Sequence, residues 1–207
     1  MAVYHESRCR LCRREGVKLM LKGERCRSEK CAVERRAYPP GMRMTKRRRS
    51  TSEYNAQLRE KQKMRRIYGV LERQFHTYFE KALQKQGVTG ENLLRLLELR
   101  MDNVIYRLGF APSRSAARLL ALHNHFTVNN KKVNIPSYQL KEGDVIHVRE
   151  SSKNLETIHS ALKSAKDLPE WLSVDKVTLT GTVVRTPARA DIPVDVQEHL
   201  VVELYSK

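Results

Sequence analysis

The sequence predicts an α+β chain in three parts: a metal-stapled N-terminal extension, a helical domain, and a helix–turn–helix joined to a small antiparallel sheet. Three observations carry this. Four cysteines are confined to the first 31 residues. Apolar side chains recur at helical spacing from residue 53 to residue 124. Short alternating runs with turn residues between them follow.

The 207 residues include 40 Lys+Arg against 23 Asp+Glu, a formal charge of +17 with a pI near 10.0. A compact body so charged repels itself unless a polyanion shares its surroundings. The charge is graded. Residues 1–50 carry 16 basic and 5 acidic groups, net +11, whereas residues 151–207 carry 7 and 8, net −1. This suggests a polyanion-binding front and a near-neutral tail. No apolar run reaches the roughly 18 residues that a spanning helix needs. The opening MAVYHESRCR lacks the apolar core of a signal peptide, so a cytoplasmic protein is expected.

Cys9 and Cys12 form a Cys-x2-Cys pair, and after thirteen intervening residues Cys26 and Cys31 form a Cys-x4-Cys pair. Two such pairs can complete a thiolate tetrahedron, with one zinc ion as the default occupant. An iron–sulfur cluster is the lesser alternative, and two disulfides are disfavoured in a reducing compartment. A set with no open position serves structure rather than catalysis. Arg13, Arg14, Lys18 and Lys22 crowd this knuckle and are candidate RNA ligands. Pro39-Pro40-Gly41 then reads as a linker leading to a basic run, Lys46, Arg47, Arg48 and Arg49. That run is either a solvated tract or a further phosphate contact.

Ser52 can cap a helix from Glu53 to about Arg66, whose basic face is Arg59, Lys61, Lys63, Arg65 and Arg66. After Gly69, a second helix is expected over 71–86 with Phe75, Phe79 and Leu83 inward. Aromatics at that spacing are more often core than base-stacking platforms. A third is expected from Thr89 unbroken to Gly109, and a fourth from Ser113 to about Asn124. Arg100 and Arg107 are seven apart, and Arg114 and Arg118 four apart, so each pair shares a helical face. In HNHFTVNNKKVNIP, the runs Phe126–Val128 and Val133–Ile135 flank Asn129-Asn130-Lys131-Lys132. Asparagines suit the left-handed positions of a two-residue hairpin turn. Lysines there either guard a sheet edge or face phosphate; the neighbouring arginine pairs favour phosphate. His123 and His125 flank the hairpin as further RNA candidates, although isolated histidines usually fill surface or core. Gly143-Asp144 turns into a strand, Val145–Val148.

In the tail, Asn154 can cap a helix, Trp171 reads as a packing anchor, and Val177, Leu179 and Val183 alternate as in a strand. Asp195 and Glu198 suggest a capping box, with Val196, Leu200 and Leu204 on one face. Nothing resembles a P-loop, a G-x-G-x-x-G or an H-E-x-x-H, and no catalytic residue is expected.

The stretch RMDNVIYRLGFAPSRSAARLLALHNHFTVNNKKVNIPSYQLKEGDVI resembles the S-four RNA-binding domain. LREKQKMRRIYGVLERQF, TGENLLRLLELR, PEWLSVD, IPVD and HLVVELYSK resemble the bacterial ribosomal protein S-four family almost throughout. CRLCRREGVKLMLKGERC is similar to the metal-binding N-terminus of part of that family. The resemblance implies an extension over 1–45, a helical domain of 46–92 with 188–207, and an S-four-type RNA-binding domain over 93–187. It implies a structural protein of the small (30S) subunit that binds 16S rRNA early, at a multi-helix junction in the 5′ domain, and nucleates assembly. It also implies contact with ribosomal protein S-five, a role in decoding accuracy, and proximity to mRNA where it enters the subunit. The sequence departs from the family at Asn124 and Asn130, where glycines are expected, and at Gly41-Met42-Arg43-Met44, where Gly-Gln-His-Gly is expected. An RNA-modifying enzyme sharing the small domain would need a large catalytic domain for which no segment is left. A heat-shock-type ribosome-rescue binder would be shorter and lack the cysteines.

Overall fold

The computed structural model describes residues 4–41, 52–164 and 168–206. The chain divides into two compact units, Met1–Gly90 with Val194–Lys207, and Glu91–Pro193. No helix among the described residues is long and apolar enough to cross a membrane.

In the first unit, α1 (Arg8–Glu15) ends at Gly16, whose φ of 76° lets its N–H return to the Cys12 carbonyl. A 3₁₀ turn at Gly23–Cys26 and the short α2 (Ala32–Arg35) complete the cysteine segment. The basic helix α3 (Glu53–Tyr68) begins as expected, with Ser52 Oγ accepting from the Asn55 N–H at 3.4 Å. It runs two residues beyond the expected end and stops at Gly69. Helix α4 (Glu72–Leu83) is shorter than the apolar spacing suggests, and Leu83, expected inward, is exposed.

The last helix, α9 (Glu198–Tyr205), starts without the expected capping box. The Asp195 carboxylate lies outside the helix, 3.8 Å from Lys63 Nζ. Its buried residue is Val201, while Leu200 and Leu204 are half-buried. Gln57 Nε2 donates to Glu203 at 3.0 Å and fixes α9 on α3. Tyr205 stacks on Phe79 with ring centroids 4.5 Å apart.

The long third helix expected from the sequence is broken. Helix α5 (Thr89–Glu98) and α6 (Met101–Arg107) are separated at Leu99-Arg100, where Arg100 is extended. The segment 136–140 causes the break by taking over the freed backbone groups. Met101 N–H donates to Tyr138 O, Asp102 N–H to Pro136 O, and Leu140 N–H to Leu99 O. The apolar periodicity runs straight through this point and could not reveal a distant strand-like segment. Helix α7 (Arg114–Leu122) begins at Ser113, whose Oγ accepts from Ala116 N–H.

The sheet is antiparallel throughout, in the order β2-β1-β3-β5-β4. Its strands are β1 (Phe126–Val128), β2 (Lys131–Lys132), β3 (Val145–Val148), β4 (Leu172–Asp175) and β5 (Thr180–Val183). The turn Asn129-Asn130 takes φ values of 48° and 64°, the left-handed pair a tight hairpin requires. The returning strand is Lys131–Lys132 itself rather than Val133–Ile135. In the tail, α8 spans Glu156–Ser164. Val177 sits in the β4–β5 turn, 91% exposed, where Asp175 accepts from Val177 N–H and Thr178 Oγ1. That turn interrupts the strand expected over 177–183. Trp171 is fully buried in the core with Phe110, Phe126 and Ile146. Gly181 leaves no room for a side chain: an added Cβ would meet Leu108 Cδ1 at 2.3 Å.

Candidate nucleic-acid interface

The four thiols are unpaired cysteines; Cys12, Cys26 and Cys31 are buried and Cys9 is half-buried. Burial pushes the Cys12 thiol up to about 11, and the nearby sulfurs of Cys26, Cys9 and Cys31 add to the rise. Backbone N–H groups serve two of the sulfurs: Leu19 donates to Cys12, and Lys22 donates to Cys26 at 3.3 Å. The donor chemistry suits a thiophilic ion. Among the described residues, however, no three His, Cys, Asp or Glu side chains are arranged to hold a metal ion.

Several cations expected to face RNA are engaged internally. Glu15, whose side chain is 2% exposed, receives Arg66 and also Arg59 Nη1 at 3.3 Å. Burial raises the Glu15 carboxyl above its ordinary range even against these two guanidiniums. Lys61 donates to Glu72 at 2.6 Å, and Arg65 lies 3.6 Å from the same carboxylate. Lys63 reaches Glu60 and Asp195. The solvent-facing basic face expected on α3 is therefore a half-buried set of ion pairs. In the knuckle, Lys18 pairs with Glu34, and Arg13 donates to the Arg36 and Tyr38 carbonyls while lying over the Tyr38 ring. Arg14 and Lys22 are exposed.

The second unit shows the sharpest correction. Arg100 is fully buried, and its Nε and Nη2 donate to Asp102 at 3.0 and 2.7 Å. Arg118, 9% exposed, donates to the same carboxylate through Nε at 2.9 Å and Nη2 at 2.7 Å. One buried acid takes up both guanidiniums: Arg100 pairs with it at the start of α6, and Arg118 reaches it from α7 and so ties the two helices together. Arg107 is clamped on Glu98 at 3.1 and 2.6 Å. The pairing of Arg100 with Arg107 by spacing also fails, because the helix breaks at 99–100.

Arg114 stands differently. It lies half-buried over the Tyr106 ring, 4.6 Å from its centroid, and its Nε donates to Asn103 Oδ1 at 2.7 Å. Asn103 Nδ2 in turn donates to Glu98 Oε2 at 2.6 Å, which turns Oδ1 toward the arginine. Lys131 and Lys132, on the edge strand, are exposed and form no ion pair with a carboxylate among the described residues. His123 is exposed and His125 half-buried, with ring centroids 6.1 Å apart. Lys46, Arg47, Arg48 and Arg49 lie outside the described residues.

Sequence reasoning missed the carboxylates Glu15, Glu98 and Asp102 and the platform Tyr106. Each is an acid or aromatic within or facing a basic helix, which is the signal that could have found them. It also missed Arg149, whose Nη1 donates to the Asn124 carbonyl at 3.1 Å beside the two histidines.

Residues 3–98 match the "Ribosomal protein S4/S9 N-terminal domain" and residues 99–146 the "S4 domain". The chain is similar over its whole length to proteins named small ribosomal subunit protein uS4. Identity is 58% with that of Heliobacterium modesticaldum, 56% with that of Geobacter metallireducens and 54% with that of Geobacter sulfurreducens, each covering 100% of both chains. Full-length identity at this level, together with a helix–turn–helix that carries a lysine-edged sheet, means that the chain belongs to the uS4 family of small ribosomal subunit proteins.

Proposed function

We propose that the chain is a non-enzymatic structural protein of the small ribosomal subunit that works in the cytoplasm by gripping folded 16S rRNA. The observation that carries this reading is the division of its cations. Carboxylates are set against the buried arginines, while Arg114 is held rigid on Tyr106 and Lys131 and Lys132 stand exposed. Cations left available in this way neutralise phosphates and release counterions. Contacts of this kind position a partner without reading its sequence, so specificity comes from the shape of a folded RNA.

The resemblance to the family extends the reading. It supports a multi-helix junction of the 5′ domain as the binding site, early binding that nucleates assembly, contact with ribosomal protein S-five, an influence on decoding accuracy, and mRNA near its point of entrance. Zinc at Cys9, Cys12, Cys26 and Cys31 is supported by three buried thiols that form no disulfide and by backbone N–H donors aimed at two sulfurs. Bound there, the ion would cross-link α1 to the segment before α2.

The test is the salt dependence of binding to a 5′-domain fragment of 16S rRNA. Replacing Arg114, Lys131 and Lys132 together by Ala should weaken binding and reduce the slope of log K against log salt by roughly 0.7–0.9 per lost contact. A variant with the wild-type slope and affinity overturns the reading.

A further inference from the structure

We infer that His123, His125 and Arg149 form a three-point phosphodiester site whose occupation by RNA takes up a proton. This deepens the rRNA-binding reading and rests on it. The three residues come from different elements. His123 closes α7, His125 follows the left-handed Asn124 (φ 61°), and Arg149 follows β3 at the start of a 3₁₀ turn. Backbone bonds lock them together: His125 N–H donates to Leu120 O, and Arg149 N–H donates to His125 O at 3.0 Å. Arg149 Nη1 holds the Asn124 carbonyl, so the guanidinium is tied to the same turn.

The His125 ring is also fixed. Its Nδ1 lies 2.9 Å from Ser152 Oγ, a buried hydroxyl. A hydroxyl can donate to a neutral ring or accept from a protonated one, so this contact survives either state. The edge carrying Nε2 is then the one on offer to a ligand.

Charge around the ring is one-sided. From the end of α7 comes His123, and from just after β3 comes Arg149. The 3₁₀ turn that supplies Ser152 also carries Glu150, but that carboxylate is exposed and pairs with Lys153 at 2.7 Å. His159 of α8 caps the Lys153 carbonyl. Burial, His123 and Arg149 all disfavour a proton on His125. In the free protein the ring is therefore neutral at neutral pH. A phosphodiester reverses the balance, since an anion within contact distance favours the charged imidazole. The arrangement gives a site that charges only when filled.

The test uses the full chain and a 5′-domain fragment of 16S rRNA, at pH 6.0 and pH 8.0 and constant ionic strength. If RNA raises the histidine pKa by about one unit, wild-type affinity rises about fivefold on acidification. Calorimetry at pH 6.5 in buffers of different ionisation enthalpy should show uptake of about half a proton. The double variant His123→Asn, His125→Asn should bind with a pH ratio under about twofold. Arg149→Gln, with an unchanged melt, should weaken binding at both pH values. Equal pH ratios in wild type and double variant, or zero proton uptake by wild type, overturn the inference while leaving rRNA binding intact. Failure of wild type to bind the fragment at either pH overturns the rRNA reading itself, and this inference with it.

Discussion

Asp102→Ala is the substitution that most directly separates cations that build the fold from cations that meet RNA. The carboxylate is 2% exposed and accepts four N–H groups from Arg100 and Arg118, at 2.7 to 3.0 Å. Hydrogen bonds to charged groups contribute about 1.5–3 kcal/mol each, but their sum overstates the loss because side chains relax. Breaking a buried ion pair by removing one partner costs about 3–5 kcal/mol. We expect about 4 kcal/mol, or roughly a 10 °C fall in Tm for a chain of this size. Arg118→Ala should cost only about 2 kcal/mol, since Arg100 keeps its bidentate hold on Asp102. Urea denaturation and thermal melting of the full chain measure both. An Asp102→Ala protein that melts within 2–3 °C of wild type, or one more stable than Arg118→Ala, would show that these guanidiniums are not stabilised by the shared acid.

Tyr205→Phe keeps the ring against Phe79 but loses the 2.9 Å hydrogen bond to Glu72, costing about 1 kcal/mol. Burial pushes the Glu72 carboxyl up, but hydrogen bonds from Lys61 and Tyr205 outweigh it and leave the group below its ordinary value. Its contribution to stability is thus present at neutral pH and lost as pH falls through the carboxylate range, so Tyr205→Phe should acid-unfold at a higher pH, seen by circular dichroism. Gly181→Ala forces a methyl against Leu108 and should destabilise by about 1–3 kcal/mol in urea titration. Chelation of a zinc-loaded chain should make residues 4–41 sensitive to protease while 52–206 stays protected, and mass spectrometry should find one zinc per chain lost; cleavage spread evenly along the chain would contradict this.

Much of the fold could be read from the sequence because its signals are local. Ser52, Ser113 and Gly69 mark helix ends by their own chemistry, and Asn129-Asn130 marks a hairpin. What could not be read depends on distant segments. The break at Leu99-Arg100 exists because residues 136–140 supply carbonyls to α6. Strand β4 exists because β5 pairs with it in register from Leu172↔Val183 to Asp175↔Thr180. Neither fact has a periodic trace.

The candidate site divides along the same line. Sequence spacing put Arg114 and Arg118 on one helix, but it paired Arg100 with Arg107 across a break and could not say which arginines a carboxylate would claim. A strongly basic chain has to fold before, or without, its polyanion, and unscreened buried guanidiniums would prevent that. The acids near the basic helices answer this need: Glu15 at α3, Glu98 and Asp102 at α6 and α7. Each converts a repulsive cluster into a tie between elements. Among the cations left partly toward solvent, Arg114 is fixed in place by its tyrosine and by Asn103 before RNA arrives, while the lysines of β2 stand exposed on a sheet edge. Pre-positioned charge loses less entropy on binding than charge on free chains. Glu98, which orients Asn103 and through it Arg114, therefore bears on affinity as well as stability. It follows that Asn103→Ala, which unties Arg114 without removing a cation, should weaken RNA binding several-fold while leaving the salt slope within about 0.3 of wild type; a slope loss equal to that of Arg114→Ala would show that Asn103 acts on the charge itself rather than on its position.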